Sequence, residues 1–153
     1  MKKILKKIEI LFRKFFLKSV QSNIIPQKII EPTDIFNQYK NWKILILRQD
    51  RIGDLLISVP LLKILKINLS NSIIDIILSE KNQSAKNCII DFTNSQFILP
   101  KNLKLISFVY KLRKMHYDIC IDLLDNSSAT SSFLLKYIKP KYSIGLEKSN
   151  SSI

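Results

Sequence analysis

From Trp42 to Leu146 the chain alternates short, continuously apolar runs with longer stretches of helical spacing, and this alternation narrows the choice of fold most sharply. WKILILR (42–48), IIDIILS (73–79) and YDICIDLL (117–124) are rich in aliphatic and β-branched residues and read as strands buried on both faces. QFILP (96–100) and KYSIGL (141–146) read as two weaker strands, the first stopped by Pro100. Between them, DLLISVPLLKILKINL (54–69), SAKNCII (84–90), NLKLISFVYKLRKM (102–115) and SATSSFLLKYI (128–138) read as helices. Pro60 lies inside the first and is expected to bend or divide it, because it removes a hydrogen bond. Strands and helices joined by brief connections imply βαβ units. The expected fold is α/β: a Rossmann-like parallel sheet with helices on both faces and ligands at the carboxyl ends of its strands.

Composition excludes several other classes. Of 153 residues 46% are hydrophobic and 24% charged, which suits one globular domain and not a disordered chain. Two Cys and one His provide no disulfide framework and no four-ligand zinc site. Cys88 and Cys120 lie in apolar runs and read as buried free thiols in a reducing compartment. His116, just before a strand and without Cys or His partners, reads as a surface residue.

The net charge of +13 points to an anionic partner. Seven cations fall within residues 1–18 against the single acid Glu9. On a helical wheel Ile4, Leu5, Ile8, Leu11, Phe12, Phe15 and Phe16 share one arc of about 140°, with the cations over most of the remainder. Residues 1–20 thus read as a basic amphipathic helix suited to an anionic membrane surface, the competing reading being a helix packed on its own domain. Glu9, Arg13 and Lys14 prevent it from spanning a bilayer. Residues 21–41, with Pro26 and Pro32, read as a linker holding at most a short helix over 33–40. No nucleic-acid-binding motif accompanies the charge, so nucleic acid is not the expected partner.

The loop after the first strand, Arg48-Gln49-Asp50-Arg51-Ile52-Gly53-Asp54, concentrates the chemistry. It is neither a dinucleotide fingerprint nor a P-loop, and no cofactor or metal is expected. Gly53 is expected to take a backbone conformation closed to other residues and to turn strand sharply into helix. Asp54, at the start of that helix, reads either as an N-cap or as a general base at the mouth of a cleft. Arg48 and Arg51 read either as forked anion binders or as local salt-bridge partners of Asp50 and Asp54. Asp122 and Asp125 end a strand on the ligand side and read as turn or cap residues, or as part of a cleft lining. Glu80 and Lys81 read as solvated.

ILILRQDRIGDLLISVPLLKILK (44–66), IDIILSEKN (74–82), YDICIDLL (117–124) and YSIGLEK (142–148) together resemble glycosyltransferase family 9, the heptosyltransferase family of lipopolysaccharide core assembly. The resemblance covers about residues 42–148. It implies the N-terminal, acceptor-binding half of a GT-B architecture, in which two Rossmann-like domains face each other across a cleft. It further implies that Asp54 is the catalytic base; beside it, Arg48, Arg51, Gly53 and Asp122 are the expected substrate-binding residues, from their chemistry and their place at the strand ends. The implied partners are a glycolipid acceptor and a nucleotide-sugar donor of ADP-heptose type, at the inner face of the cytoplasmic membrane. In the family the donor domain follows from about Lys148, so residues 149–153 read as a cut linker. The chain alone is expected to lack a complete donor site and to show little transfer. The competing reading is a non-enzymatic, membrane-tethered module that binds an anionic glycolipid.

Overall fold

The computed structural model describes residues 41–101, 104–124 and 128–145. The expected amphipathic helix (1–20), linker (21–41, of which only Asn41 is described), Asp125 and the closing linker (149–153) lie outside them. The described elements run β1 (Lys43–Arg48), α1 (Ile52–Asn68), β2 (Ile73–Leu78), a 3₁₀ helix (Gln83–Phe92), β3 (Ser95–Ile98), α2 (Lys104–Lys114), β4 (Ile119–Asp122), α3 (Ala129–Ile138) and β5 (Tyr142–Gly145). The strands form one sheet in the order β3-β2-β1-β4-β5, and every neighbouring pair is parallel. The α/β Rossmann-like reading is therefore right.

The continuous apolar character of β1 follows from its central place. Successive side chains alternate between faces, and both faces are covered. Ile44 and Ile46 join Leu55 and Leu62 of α1, Ile74, Ile76 and Leu78 of β2 and Ile89 of the 3₁₀ helix in one core cluster. Leu45 and Leu47 join Val109 and Leu112 of α2 and Leu134 and Ile138 of α3 in the other. Burying each such side chain contributes about 1.5–3 kcal/mol. The same parity sends Arg48 toward the α1 layer and Gln49 toward the α3 layer.

Three local expectations are corrected. α1 is one continuous helix that starts two residues earlier than expected and is not divided at Pro60. Pro60 is exposed, as is Leu56, whose carbonyl the missing N–H leaves without its partner in the helix. Gly53 has no positive φ and lies within the first turn of α1; a Cβ there meets nothing within 4 Å, so the sharp turn does not depend on it. Cys120 is buried but Cys88 is exposed, because the 3₁₀ helix turns only Ile89 of its NCII run fully into the core.

Candidate functional site

In the order 3-2-1-4-5 the chain leaves β1 toward β2 on one side and β4 continues on the other. The crevice at such a reversal, outside the carboxyl ends of the strands, is where open α/β sheets place ligands. Here the ends of β1 and β4, paired through Leu47 and Asp122, bring the Arg48–Asp54 loop beside residues 122–124.

Arg48 is 5% exposed, and its guanidinium faces inward. Nε donates to the main-chain carbonyl of Asp54 at 2.9 Å. Nη1 donates to the Leu123 carbonyl and lies 3.1 Å from the Asp50 carboxylate. One side chain thus joins the end of β1, the first turn of α1 and the end of β4 across the switch point. Of the two readings of Arg48, the structure displays the local one: a salt bridge with Asp50, and a bond to Asp54 through its backbone rather than its carboxylate.

Arg51 is the N-cap residue of α1, extended at φ −97° and ψ 160°, and its side chain makes no cap bond. It is exposed, and among the described residues its guanidinium has no hydrogen bond or ion pair. Asp54 follows in the first turn, half-buried, and does not occupy the N-cap position. Its carbonyl accepts from Arg48 Nε and from Ser58 Oγ, the latter at 2.8 Å. Its carboxylate has no hydrogen bond or ion pair among the described residues. The backbone of Asp54 is fixed while its acid group stays unengaged in the first turn of α1. Exposed Gly53 adds no side chain above that turn.

Asp122 is buried, and its Oδ1 accepts from the Leu124 amide at 3.2 Å and from Ser131 Oγ at 3.4 Å. The Leu124 contact closes a turn at the end of β4, and Ser131 ties Asp122 to α3. Ser128 caps α3 by accepting from the Ser131 amide. Gln49 Nε2 donates to Ser131 Oγ at 3.1 Å and completes a polar seam between β1, β4 and α3. Beside Asp122, the Cys120 thiol is pushed up by burial first and by that carboxylate second.

Asn82 was not singled out by the sequence, although it closes the IDIILSEKN stretch. It is fully buried; its Nδ2 donates to the Arg48 carbonyl at 2.6 Å and its Oδ1 accepts from the Ser79 amide at 2.8 Å. Ser79 Oγ reaches the Asp50 carbonyl at 3.3 Å. The loops after β1 and β2 are therefore stitched together at their base. Glu80 is exposed as expected, and it pairs with Lys101. His116 is exposed, with a left-handed φ of 51° just beyond α2. No group of metal-binding side chains occurs among the described residues, and no described helix is long and apolar enough to cross a membrane.

No protein-family model matches the sequence, and no curated protein matches it. Solved structures do match the fold. The glycosyl transferase family 9 protein of Veillonella parvula superposes with a TM-score of 0.58 at 21% identity, over 71% of this chain and 33% of that one. The E. coli heptosyltransferase WaaC, solved with ADP, is a looser likeness, with a TM-score of 0.45 at 15% identity over 67% of this chain and 34% of that one. The chain spans about a third of the length of these solved proteins.

Proposed function

We propose that this chain is the acceptor-side domain of a family 9 type glycosyltransferase, with Asp54 as its general base. The observation that carries the reading is the Asp54 carboxylate, unengaged by any described residue on a backbone that Arg48 and Ser58 hold in place. The likeness of the fold to a glycosyltransferase supports the reaction class.

The proposed chemistry is inverting transfer. The Asp54 carboxylate takes the proton of the acceptor hydroxyl as its oxygen bonds to the anomeric carbon of the donor sugar. The bond from that carbon to the nucleotide diphosphate breaks, and the diphosphate leaves with the electron pair. Arg51, exposed at the start of α1, offers a forked contact to the anionic groups of a core glycolipid. Arg48 and Asp122 hold the edge together, and Gly53 leaves the first turn open to the acceptor. The donor, a nucleotide sugar of ADP-heptose type, is held by a second Rossmann-like domain facing this edge. The acceptor is a glycolipid of lipopolysaccharide-core type at the inner face of the cytoplasmic membrane, where the basic, apolar pattern of residues 1–20 supports attachment.

The test starts from the native species, captured from its own cells with an antibody to residues 42–148. It is assayed for sugar transfer from nucleotide sugars onto glycolipid extracted from the same cells. Transfer is the expected result. Glycolipid binding with no transfer from any nucleotide sugar would replace this reading with the non-enzymatic module.

A further inference from the structure

We infer that the outer face of α2 is the surface by which this domain docks on an anionic lipid bilayer. The inference rests on the membrane-surface part of the proposed function and names the contact. α2 reads KLISFVYKLRK and carries Lys104, Lys111, Arg113 and Lys114 without a single acid. Val109 and Leu112 anchor it to the core, and all four cations are exposed on the remaining surface. None of the four has a carboxylate partner among the described residues. The Lys114 ammonium lies 4.5 Å from the centre of the Tyr110 ring and the Lys111 ammonium 5.8 Å from that of Phe97, so two of the charges rest on aromatic faces.

Two large side chains stand among these cations: Ile106 is 66% exposed and Tyr110 60%. Four residues apart, they share one side of the helix. An aliphatic and an amphipathic aromatic side chain framed by basic residues match the boundary between headgroups and acyl chains, where Tyr is favoured and Lys stems extend toward phosphates. A nucleic acid would use the cations and the ring but has no place for Ile106. A second copy of a chain with net charge +13 is opposed by like charge.

The test uses the full chain with Ile106→Cys and Cys88→Ser, labelled with an environment-sensitive fluorophore; Cys120 is buried and stays unlabelled. Vesicles of equal phosphatidylcholine and phosphatidylglycerol should shift the emission to the blue, and pure phosphatidylcholine should not. Molar salt should reverse the shift. Adding Lys111→Glu and Lys114→Glu should weaken the response about a hundredfold, with circular dichroism unchanged. Flotation with vesicles but no shift at position 106 would overturn the assignment to α2 while sparing membrane attachment. No flotation at all would overturn both. A shift that appears with protein concentration alone, or more strongly with duplex DNA than with vesicles, would give the face to a second copy or to nucleic acid instead.

Discussion

Arg48 Nε donates to the main-chain carbonyl of Asp54 across 2.9 Å, so the residue ending β1 holds the backbone of the proposed base and leaves its carboxylate unoccupied. The same guanidinium reaches the Leu123 carbonyl and the Asp50 carboxylate. A buried side chain with three partners is a brace. Its removal strands acceptors in a partly buried site.

Arg48→Met should therefore destabilise the domain by about 3–5 kcal/mol, the range for breaking a buried charged pair. Arg48→Lys should recover only part of this, since an ammonium lacks the planar fork that serves three acceptors. Urea unfolding followed by circular dichroism measures both. A loss below about 1 kcal/mol for Arg48→Met would show that the guanidinium braces nothing.

Asn82→Ala should cost about 2–6 kcal/mol, because the Arg48 carbonyl and the Ser79 amide each lose a partner worth about 1–3 kcal/mol to leave unsatisfied. Asn82→Asp keeps an acceptor for Ser79 but loses the donor to Arg48, so it should also destabilise. The same unfolding measurement applies, and amide exchange over residues 48–54 should quicken in both variants.

Stability should fall on the alkaline side of neutrality. Burial and then Asp122 push the Cys120 thiol up. Burial, followed by the hydrogen bond to Asp75 and its charge, pushes the Tyr117 hydroxyl up. The folded state keeps these protons after the unfolded chain has begun to lose them, so the unfolded state binds fewer protons and stability falls as pH rises. The stabilisation is complete below the unfolded values, about 8.5 for a thiol and about 10 for a phenol, and is lost above them. Cys120→Ala should delay the onset of the fall to the tyrosine range. Stability that stays level through about pH 10 would contradict this account.

The strands were legible because a parallel sheet covered on both faces demands continuous apolar runs. β1 was expected over 42–48 and is found over Lys43–Arg48; the weaker β5 falls within its expected 141–146, and β3, expected over 96–100, begins one residue earlier at Ser95 and ends at Ile98. What a linear pattern could not reveal was which groups meet across the sheet. Arg48 and Leu123 are 75 residues apart, as Arg48 and Asn82 are 34 apart. Asn82 was not singled out, since only the fold turns it inward. Gly53 misled because scarce glycine suggests left-handed backbone, whereas here it only leaves a helix turn bare. Cys88 misled because two apolar neighbours raise the expectation of burial, but a 3₁₀ turn points successive side chains in different directions. For Asp54 the local spacing favoured a cap, and the family resemblance favoured a base. The N-cap position belongs to Arg51, and the Asp54 carboxylate bonds to no described residue.

The central claim is that the Asp54 carboxylate serves the acceptor and not the helix, and the turnover of Asp54→Ala in the native enzyme tests it most directly. The account predicts that sugar transfer falls about a hundredfold or more, as for loss of a general base, while unfolding stability changes by less than about 2 kcal/mol, the most a partly buried charge at a helix start contributes. Near-normal transfer from a folded Asp54→Ala protein would contradict it.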